Sequence, residues 1–347
     1  MNGAIDEVLV GRQGAVVLAL GFGSGALVDI ACEPANRALA PGAIHRARVG
    51  QAAPGGAFVD LAEGAVALLD SDKPPPPGTS LVVQVVEAPL GDKRARVSRR
   101  VALEGTHVVL LPGGKGASVS KRVPAAKREA LQARAHALLG PREGLILRAS
   151  ALDADDAGLA GELAALRARD LTADGPPALL WCERAVPALR RALGVGESAE
   201  IVCADADLAR DAKVRHEPDA FERHDAATLL AKLDEARVDL VSGAWLSIEP
   251  TSALVAIDVN SGRAKGDALA IDLEAAKEVA RQLRLRDLAG LIAVDVLRVV
   301  KPGERARLLD AFKHAVRHDR RRVDVLGFTA GGLIEMTRAR ARGGFAE

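Results

Sequence analysis

The sequence predicts a mixed α/β protein made of several subdomains. Its 347 residues are enough for two or three domains. Residues 42–103 contain five short β-rich runs separated by turns, which is the pattern of a small barrel. Residues 178–342 instead alternate between strand and helix patterns, as α/β units do. The chain therefore combines a barrel with α/β units.

Residues 1–41 predict short strands joined by a glycine-rich turn. The segment from Gly14 to Leu20 is apolar, GFGSG at 21–25 is a turn, and Ala26 to Ile30 is a strand. The turn is similar to a phosphate-binding loop, but no helix pattern follows it. A hairpin turn is therefore the favoured interpretation.

The barrel segment predicts five strands. They run over residues 44–49, 57–61, 65–69, 80–86 and 94–99. Their number and spacing suit an oligonucleotide-binding barrel. Phe58 lies in the second strand, where it belongs either to the binding face or to the barrel core, and the pattern leaves both open.

Residues 104–243 predict alternating strands and helices. The strands cover 107–111, 144–148, 179–181 and 200–203, and the helices cover 124–139, 156–170, 185–193, 205–213 and 226–236. The second of these strands ends in Arg148. The glycine-rich segment at 112–116 is predicted as a loop, because it lacks the hydroxyl and the glycine spacing of a Walker A motif.

Two apolar strands in residues 244–342 each carry a carboxylate. In AIDVNSG, Asp258 points away from the face of Ile257 and Val259, because side chains alternate along a strand. In LIAVDVL, Asp295 interrupts an apolar run and must be paired, exposed at a sheet end or bound to metal. Two carboxylates with Asn260 nearby suit Mg²⁺. The alternative for Asp258 is a simple strand-to-turn signal.

Charge is distributed unevenly along the chain. The net charge is +1, yet residues 277–342 hold 16 Lys and Arg against 8 Asp and Glu, while residues 151–250 hold 11 against 20. The basic third indicates either a local polyanion site or a solvated helix face. Aromatic content is 2%, with no tyrosine, which argues against a tight general RNA-binding module.

Several classes of protein are disfavoured by simple counts. The sequence contains no run of 18 apolar residues, so no membrane span is predicted. The N-terminus lacks the basic region of a signal peptide. The three cysteines are scattered and form no CxxC pair, so neither a zinc knuckle nor a disulfide framework is predicted. A reducing, cytoplasmic location is the expectation.

Four strings give the chain a family resemblance. TSALVAIDVNSG, LEAAKEVARQLRLRDLAGLIAVDV, AVRHDRRR and GGLIEMTRAR together resemble the catalytic region of the ribonuclease E/G family. The strings are long and ordered, and weaker similarity extends through the rest of the chain. The resemblance implies an RNase H-like subdomain at 1–41 plus 181–243, with an S1-type barrel at 42–103 inserted into it. It also implies a 5′-sensor-like segment at 104–180 and a DNase I-like catalytic subdomain at 244–342.

The resemblance also implies an activity and a set of site residues. Asp258 and Asp295 would hold a catalytic Mg²⁺, and Asn260 would accompany them. The implied reaction is endonucleolytic hydrolysis of single-stranded RNA that leaves a 5′-phosphate and a 3′-hydroxyl. The implied RNA-binding residues are Phe58 and Lys93 in the barrel, Arg148 at the 5′ end of the RNA, and Arg320 and Arg321.

The sequence departs from the family pattern at several places. Ala149 stands beside Arg148 where the family has a threonine. An aliphatic residue near Ala67 or Leu68 takes the place of a second aromatic of the family barrel, and the segment after Asp267 is shorter than the family loop. These changes predict weaker 5′-end sensing and weaker RNA affinity. The cysteine-containing zinc link of the family is absent from these 347 residues, so no zinc-linked dimer is expected, while another homo-oligomer is left open.

Three hypotheses follow. The first is a divergent endoribonuclease of the ribonuclease E/G type. The second is an RNA-binding or regulatory paralog with little turnover, which the departures favour. The third is an unrelated phosphatase-like or nucleotide-binding α/β enzyme, for which the sequence offers no motif.

Overall fold

The computed structural model describes residues 5–89, 93–121, 123–196, 198–264, 266–297, 301–317 and 319–339. It is a mixed α/β protein, as predicted. The strands are β1 (Glu7–Gln13), β2 (Val16–Gly23), β3 (Ala26–Pro34), β4 (Ile44–Ala53), β5 (Gly56–Asp60), β6 (Val66–Asp70), β7 (Ser80–Glu87), β8 (Arg96–Ser98), β9 (Leu103–Glu104), β10 (Val108–Pro112), β11 (Gly116–Val119), β12 (Glu143–Leu147), β13 (Ala178–Trp181), β14 (Glu200–Cys203), β15 (Arg215–His216), β16 (Arg237–Asp239), β17 (Trp245–Pro250), β18 (Val255–Asn260), β19 (Gly290–Asp295), β20 (Val323–Phe328) and β21 (Ile334–Arg338). The α-helices are α1 (Ala125–Leu138), α2 (Asp156–Arg167), α3 (Ala185–Leu193), α4 (Ala206–Ala212), α5 (Ala220–Arg223), α6 (Ala226–Ala231), α7 (Ala268–Leu285) and α8 (Pro302–Val316).

The described chain forms two compact units. The first joins residues 5–35 to residues 184–339, and the second spans residues 36–183. Within the described residues, no helix is long and apolar enough to cross a membrane. The finer division into four subdomains stays a prediction.

The second unit contains the predicted barrel. Strands β4, β5, β6, β8 and β7 pair in that order, and a β4–β7 pairing closes the ring. Alternate residues fill its interior, among them Val49, Val59, Leu69, Val83 and Val97. The five-stranded closed barrel is therefore confirmed and is compatible with an S1-type fold, and β13 extends it by pairing with β4.

The rest of the second unit is a four-stranded sheet with the order β11-β12-β10-β9. Helices α1 and α2 pack on it through an apolar core that includes Leu110, Leu131, Leu145 and Leu163. The loop predicted at 112–116 is confirmed at residues 113–115, and strand β11 follows directly in a segment for which the sequence predicted no strand. Its glycine and serine hide the strand pattern, and parallel pairing with the buried strand β12 supplies the order instead.

The first unit begins with a five-stranded sheet of order β15-β14-β1-β2-β3. The glycine-rich turn is a hairpin turn between β2 and β3, as predicted. Ser24 and Gly25 both adopt positive φ there, at 51° and 76°. Helix α3 packs Leu189 and Leu193 on one face of this sheet.

A six-stranded sheet completes the first unit, with the order β16-β17-β18-β19-β21-β20. Strands β18 and β19 are parallel and are connected through α7. Helices α7 and α8 bury the apolar face of the sheet, where Ile257, Val294, Val279, Leu283 and Phe312 are at most 2% exposed. These helices do not cover the opposite face of the sheet, and we call it the open face.

Candidate active site

Asp258 and Asp295 lie side by side on the open face. They are paired in register on the parallel strands β18 and β19, near or at the carboxyl end of each. In-register neighbours on adjacent strands point to the same face and lie about 5 Å apart along the hydrogen-bonding direction. Both residues are exposed. The two acids, distant in sequence, therefore meet at one edge of one sheet.

The local sequence explains why these acids point outward. In β18, Ile257 and Val259 are 2% and 4% exposed and face the helices, which leaves Asp258 on the other side. In β19, Ile292 and Val294 are fully buried in the same way, which places Asp295 on the open face as the last residue of its strand. The alternation of side chains thus fixes both carboxylates.

Asn260 completes the group at this edge. Its side-chain Nδ2 donates a hydrogen bond of 2.8 Å to Oδ2 of Asp258. The amide thereby holds the carboxylate of Asp258 in one orientation. The sequence predicted an amide near the carboxylates, and the structure adds the hydrogen bond between them.

The donor set fits a hard divalent cation with few protein ligands. Two exposed carboxylates offer oxygen ligands, and Mg²⁺ commonly takes one or two carboxylates and keeps several waters. Among the described residues, no group of three or more His, Cys, Asp or Glu side chains is arranged to hold a metal. A thiolate or histidine site of the zinc type is therefore not formed by this part of the chain.

Arg320 and Arg321 lie at the opposite edge of the same sheet. Arg321 pairs with Asp287 at 2.7 Å, just before β19 begins, and Arg320 pairs with Asp29 at 3.0 Å. Strand β19 runs from this edge to Asp295, its last residue. From Gly290 to Asp295 the strand covers about 17 Å at the rise of a parallel strand. The structure does not bring these arginines to the acid pair, and their role in RNA binding stays a prediction.

The same edge contains a buried ionic cluster. Arg338 has a fully buried side chain and contacts Asp319 at 3.0 Å and Asp287 at 3.4 Å. Burial raises the pKa of Asp29, an effect that Arg320 opposes. Arg320 and Arg321 therefore already have carboxylate partners within the fold.

Phe58 is half-buried in β5, on the outside of the barrel, and the guanidinium of Arg94 lies 5.5 Å from its ring centroid. Lys93, predicted as the basic partner of Phe58, is exposed. Leu68 is the cross-strand neighbour of Phe58, whereas Ala67 is fully buried. Leu68 therefore occupies the aliphatic position beside Phe58 that the sequence left open.

Arg148 follows β12 in the second unit. Its NH2 group donates to Oε2 of Glu104 at 2.6 Å, and both side chains are about one-quarter exposed. The sequence predicted an arginine free to bind a terminal phosphate and gave no sign of Glu104. The pair places a carboxylate where an incoming phosphate would compete for the same guanidinium.

Sequence reasoning also missed residues beside the acid pair. Ser247 is the in-register neighbour of Asp258, and Trp245 is that of Asn260, both on β17. Glu335 lies on β21, in register with Ala293. The alternating pattern of WLSIEP could have suggested that Trp245 and Ser247 share a face, but only the strand pairing shows which residues they oppose.

The fold and site together define a mixed α/β protein of two compact units, with a closed barrel and a candidate cation site at a sheet edge. The sequence profile described as the ribonuclease E/G family matches residues 102–173 and 198–341. The chain belongs to this family.

Individual relatives support the assignment. The chain is 31% identical to ribonuclease E of Nostoc sp. over 300 residues, which cover 76% of this chain and 43% of that protein. It is 29% identical to ribonuclease G of Escherichia coli strain K12 over 375 aligned positions, covering 92% of this chain and 76% of that protein. It is 30% identical to ribonuclease G of Haemophilus influenzae over 300 residues, or 76% of this chain and 60% of that protein. The chain thus matches less than half of the Nostoc protein's length.

Proposed function

We propose that the chain is a magnesium-dependent endoribonuclease that hydrolyses single-stranded RNA and leaves 5′-phosphate and 3′-hydroxyl ends. The observation that carries the proposal is the in-register pairing of Asp258 with Asp295 on the open face of the sheet. Membership of the ribonuclease E/G family supports RNA as the substrate. The relatives named ribonuclease E and ribonuclease G support the same substrate class.

Each residue of the site has a distinct task in this proposal. Asp258 and Asp295 supply hard oxygen ligands, and Asn260 fixes the orientation of the first carboxylate through its 2.8 Å hydrogen bond. Bound Mg²⁺ would supply a more acidic water and stabilise the charge that develops on the phosphate. The exposure of both acids keeps the edge open to an extended RNA strand.

The second unit supplies further RNA-binding residues in this proposal, in the barrel and at Arg148. Phe58 and Arg94 together present an aromatic face with a cation beside it, which suits the stacking of an unpaired base. Lys93 adds an exposed positive charge next to them. Arg148 would bind a terminal phosphate only after exchanging its contact with Glu104.

Cleavage of a 5′-monophosphorylated, AU-rich single-stranded RNA tests the proposal. We expect products with 5′-phosphate ends in Mg²⁺, no cleavage in EDTA, and loss of activity in Asp258→Asn and Asp295→Asn. Asp324→Asn is the matched control, because Asp324 lies on the same face of the sheet but two strands beyond β19. Full activity in the Asp258→Asn/Asp295→Asn double variant would refute the assignment.

A second function is an RNA-binding or regulatory protein with little turnover. The specific observation that favours it is the ion pair between Glu104 and Arg148, together with Ala149 in place of a hydroxyl donor. Tight binding of the same RNA without cleavage at any Mg²⁺ concentration would establish this alternative.

A further inference from the structure

One row of side chains crosses the open face of the six-stranded sheet. Arg237 on β16 is in register with Ser247 on β17, Ser247 with Asp258 on β18, and Asp258 with Asp295 on β19. In-register residues on neighbouring strands point to the same face. The row therefore runs from an arginine to the acid pair, across about 15 Å at the usual strand spacing.

Trp245 stands in the adjacent row, nearer the carboxyl ends of β18 and β19. It is the in-register neighbour of Asn260, which itself holds Asp258. The guanidinium of Arg237 lies over its ring, 4.7 Å from the centroid. Asp239 orients that guanidinium through contacts of 2.8 Å, and the Arg237 side chain is 58% exposed. A cation and an indole are thus stacked in a fixed arrangement on a solvent-facing surface.

The turn after β18 is shaped around this indole. Gly262 has φ of +53°, and a Cβ at this position would lie 3.2 Å from Cδ1 of Trp245 and 3.0 Å from the carbonyl oxygen of Gly243. A side chain would therefore press on the ring and on the backbone. The glycine lets the turn that leads away from Asp258 and Asn260 lie close against the tryptophan.

The position of this tryptophan is unusual for such a chain. The sequence holds two Trp, six Phe and no Tyr. Within the described part of the six-stranded sheet, Trp245 is the one aromatic residue on the open face, since Phe328 pairs with the buried Ile334 and faces the helices. A tryptophan that served only to fill the core would be expected on the helix-covered face, where its apolar surface is fully buried.

We propose that Trp245 and Arg237 form a stacking platform for one unpaired nucleobase of the RNA, next to the phosphate that lies at Asp258 and Asp295. The inference rests on the proposed ribonuclease function and adds a substrate-binding element to it. Aromatic rings stack on any nucleobase, and the exposed guanidinium offers both a second planar surface and a positive charge for the backbone. Trp245 lies one strand from Asp258 and two strands from Asp295, so a single nucleotide can reach from the indole to the acid pair.

Fluorescence tests the contact directly. Trp181→Phe leaves Trp245 as the single tryptophan. In EDTA, so that no cleavage occurs, this variant is titrated with a short single-stranded RNA and with matched RNAs that carry one abasic nucleotide at successive positions. We expect intact RNA to quench Trp245, and one abasic position to abolish most of the quenching while binding, followed by anisotropy, persists. Binding without quenching by intact RNA would overturn the platform.

Kinetics give a second readout in Mg²⁺. Trp245→Ala should lower kcat/KM for intact RNA by about 5- to 150-fold, the value of one lost base stack, and Trp245→Phe should retain most of the activity. With the abasic RNA the wild type and Trp245→Ala should cleave equally. Leu326→Ala is the matched control, since Leu326 is 58% exposed on β20 of the same sheet. An equal loss by Trp245→Ala on intact and abasic RNA would show that the tryptophan is only structural.

The outcomes separate this inference from the proposed function. Base-dependent quenching without any cleavage in Mg²⁺ would refute the nuclease and leave the platform standing. Cleavage that is insensitive to Trp245 and to the abasic positions would leave the nuclease and refute the platform. An absence of RNA binding would refute both.

Discussion

Asp272 offers a sharp test of the energetics of this fold. Its side chain is fully buried in α7, where Oδ1 accepts a hydrogen bond from the Leu297 amide at 3.0 Å. Its Oδ2 has no hydrogen-bond partner among the residues described. Burial raises the pKa of this carboxyl to about 7, although the Leu297 amide acts in the opposite direction. A buried acid with an unpartnered oxygen favours its protonated form.

The pH dependence follows from linkage. The unfolded carboxyl has a pKa of 3.8, so between pH 4 and pH 7 the folded protein binds one more proton than the unfolded chain. The free energy of unfolding should therefore fall as pH rises through this interval and should not change further from this group above pH 7. The difference between a pKa of 3.8 in the unfolded chain and about 7 in the folded protein limits this loss of stability to about 4 kcal/mol.

Asp272→Asn mimics the protonated carboxyl and keeps the oxygen that accepts from Leu297. At pH 8 we expect the variant to unfold with a free energy about 2 kcal/mol higher than the wild type, because burying the extra amide hydrogens offsets part of the ceiling. At pH 4.5 the variant should be about 1 kcal/mol less stable than the wild type, because the carboxyl of the folded wild type is then protonated while the cost of burying the amide hydrogens remains. Denaturant unfolding at several pH values measures the free energy of unfolding of each protein. Burial also raises the pKa of Asp29, but this residue is present in both proteins, so its effect cancels in their difference. If the difference in the free energy of unfolding between the variant and the wild type were the same at pH 5 and at pH 8, this explanation would be contradicted.

Two further changes test other contacts. Glu104→Gln removes the charge that competes for Arg148. The ratio of kcat/KM for 5′-monophosphate RNA to kcat/KM for 5′-hydroxyl RNA should therefore increase several-fold. An unchanged ratio would show that Arg148 does not contact the 5′ end. Asp319→Ala leaves the buried Arg338 without its closest carboxylate and should lower the free energy of unfolding by about 3–5 kcal/mol. Thermal unfolding would show this as a large decrease in melting temperature. A loss below about 1 kcal/mol would mean that Asp287 alone satisfies Arg338.

The sequence was most informative where alternation fixes the faces of strands. Buried neighbours at Ile257, Val259 and Val294 force Asp258 and Asp295 to the opposite face, so the direction of each acid could be anticipated from the sequence, whereas their meeting at one site was implied by the family resemblance. The barrel could be anticipated from the number and spacing of its five β-rich runs, and the structure shows that alternate residues of these runs fill its interior.

Long-range ion pairs could not be anticipated in this way. The family resemblance implied that Arg320 and Arg321 bind RNA, but it gave no sign that Asp29 and Asp287 pair with them in the fold. Sequence distance also concealed the pairing of Glu104 with Arg148, which are 44 positions apart.

The register of short strands was equally hidden. Strand β16 has three residues. The sequence predicted a helix over residues 226–236 and no strand directly after it. Without β16 there was no reason to place Arg237 over Trp245 or in the row of Asp258. Short edge strands depend on the partner strand for their order, so their own residues give little signal.

Mn²⁺ binding, followed by electron paramagnetic resonance, tests the central claim that Asp258 and Asp295 share one divalent cation. The account predicts that the wild type and Asp324→Asn bind the ion alike and that Mg²⁺ displaces it. Asp258→Asn and Asp295→Asn should each weaken the affinity at least tenfold, and the double variant should lose the site. A double variant that binds the ion as tightly as the wild type would contradict the claim.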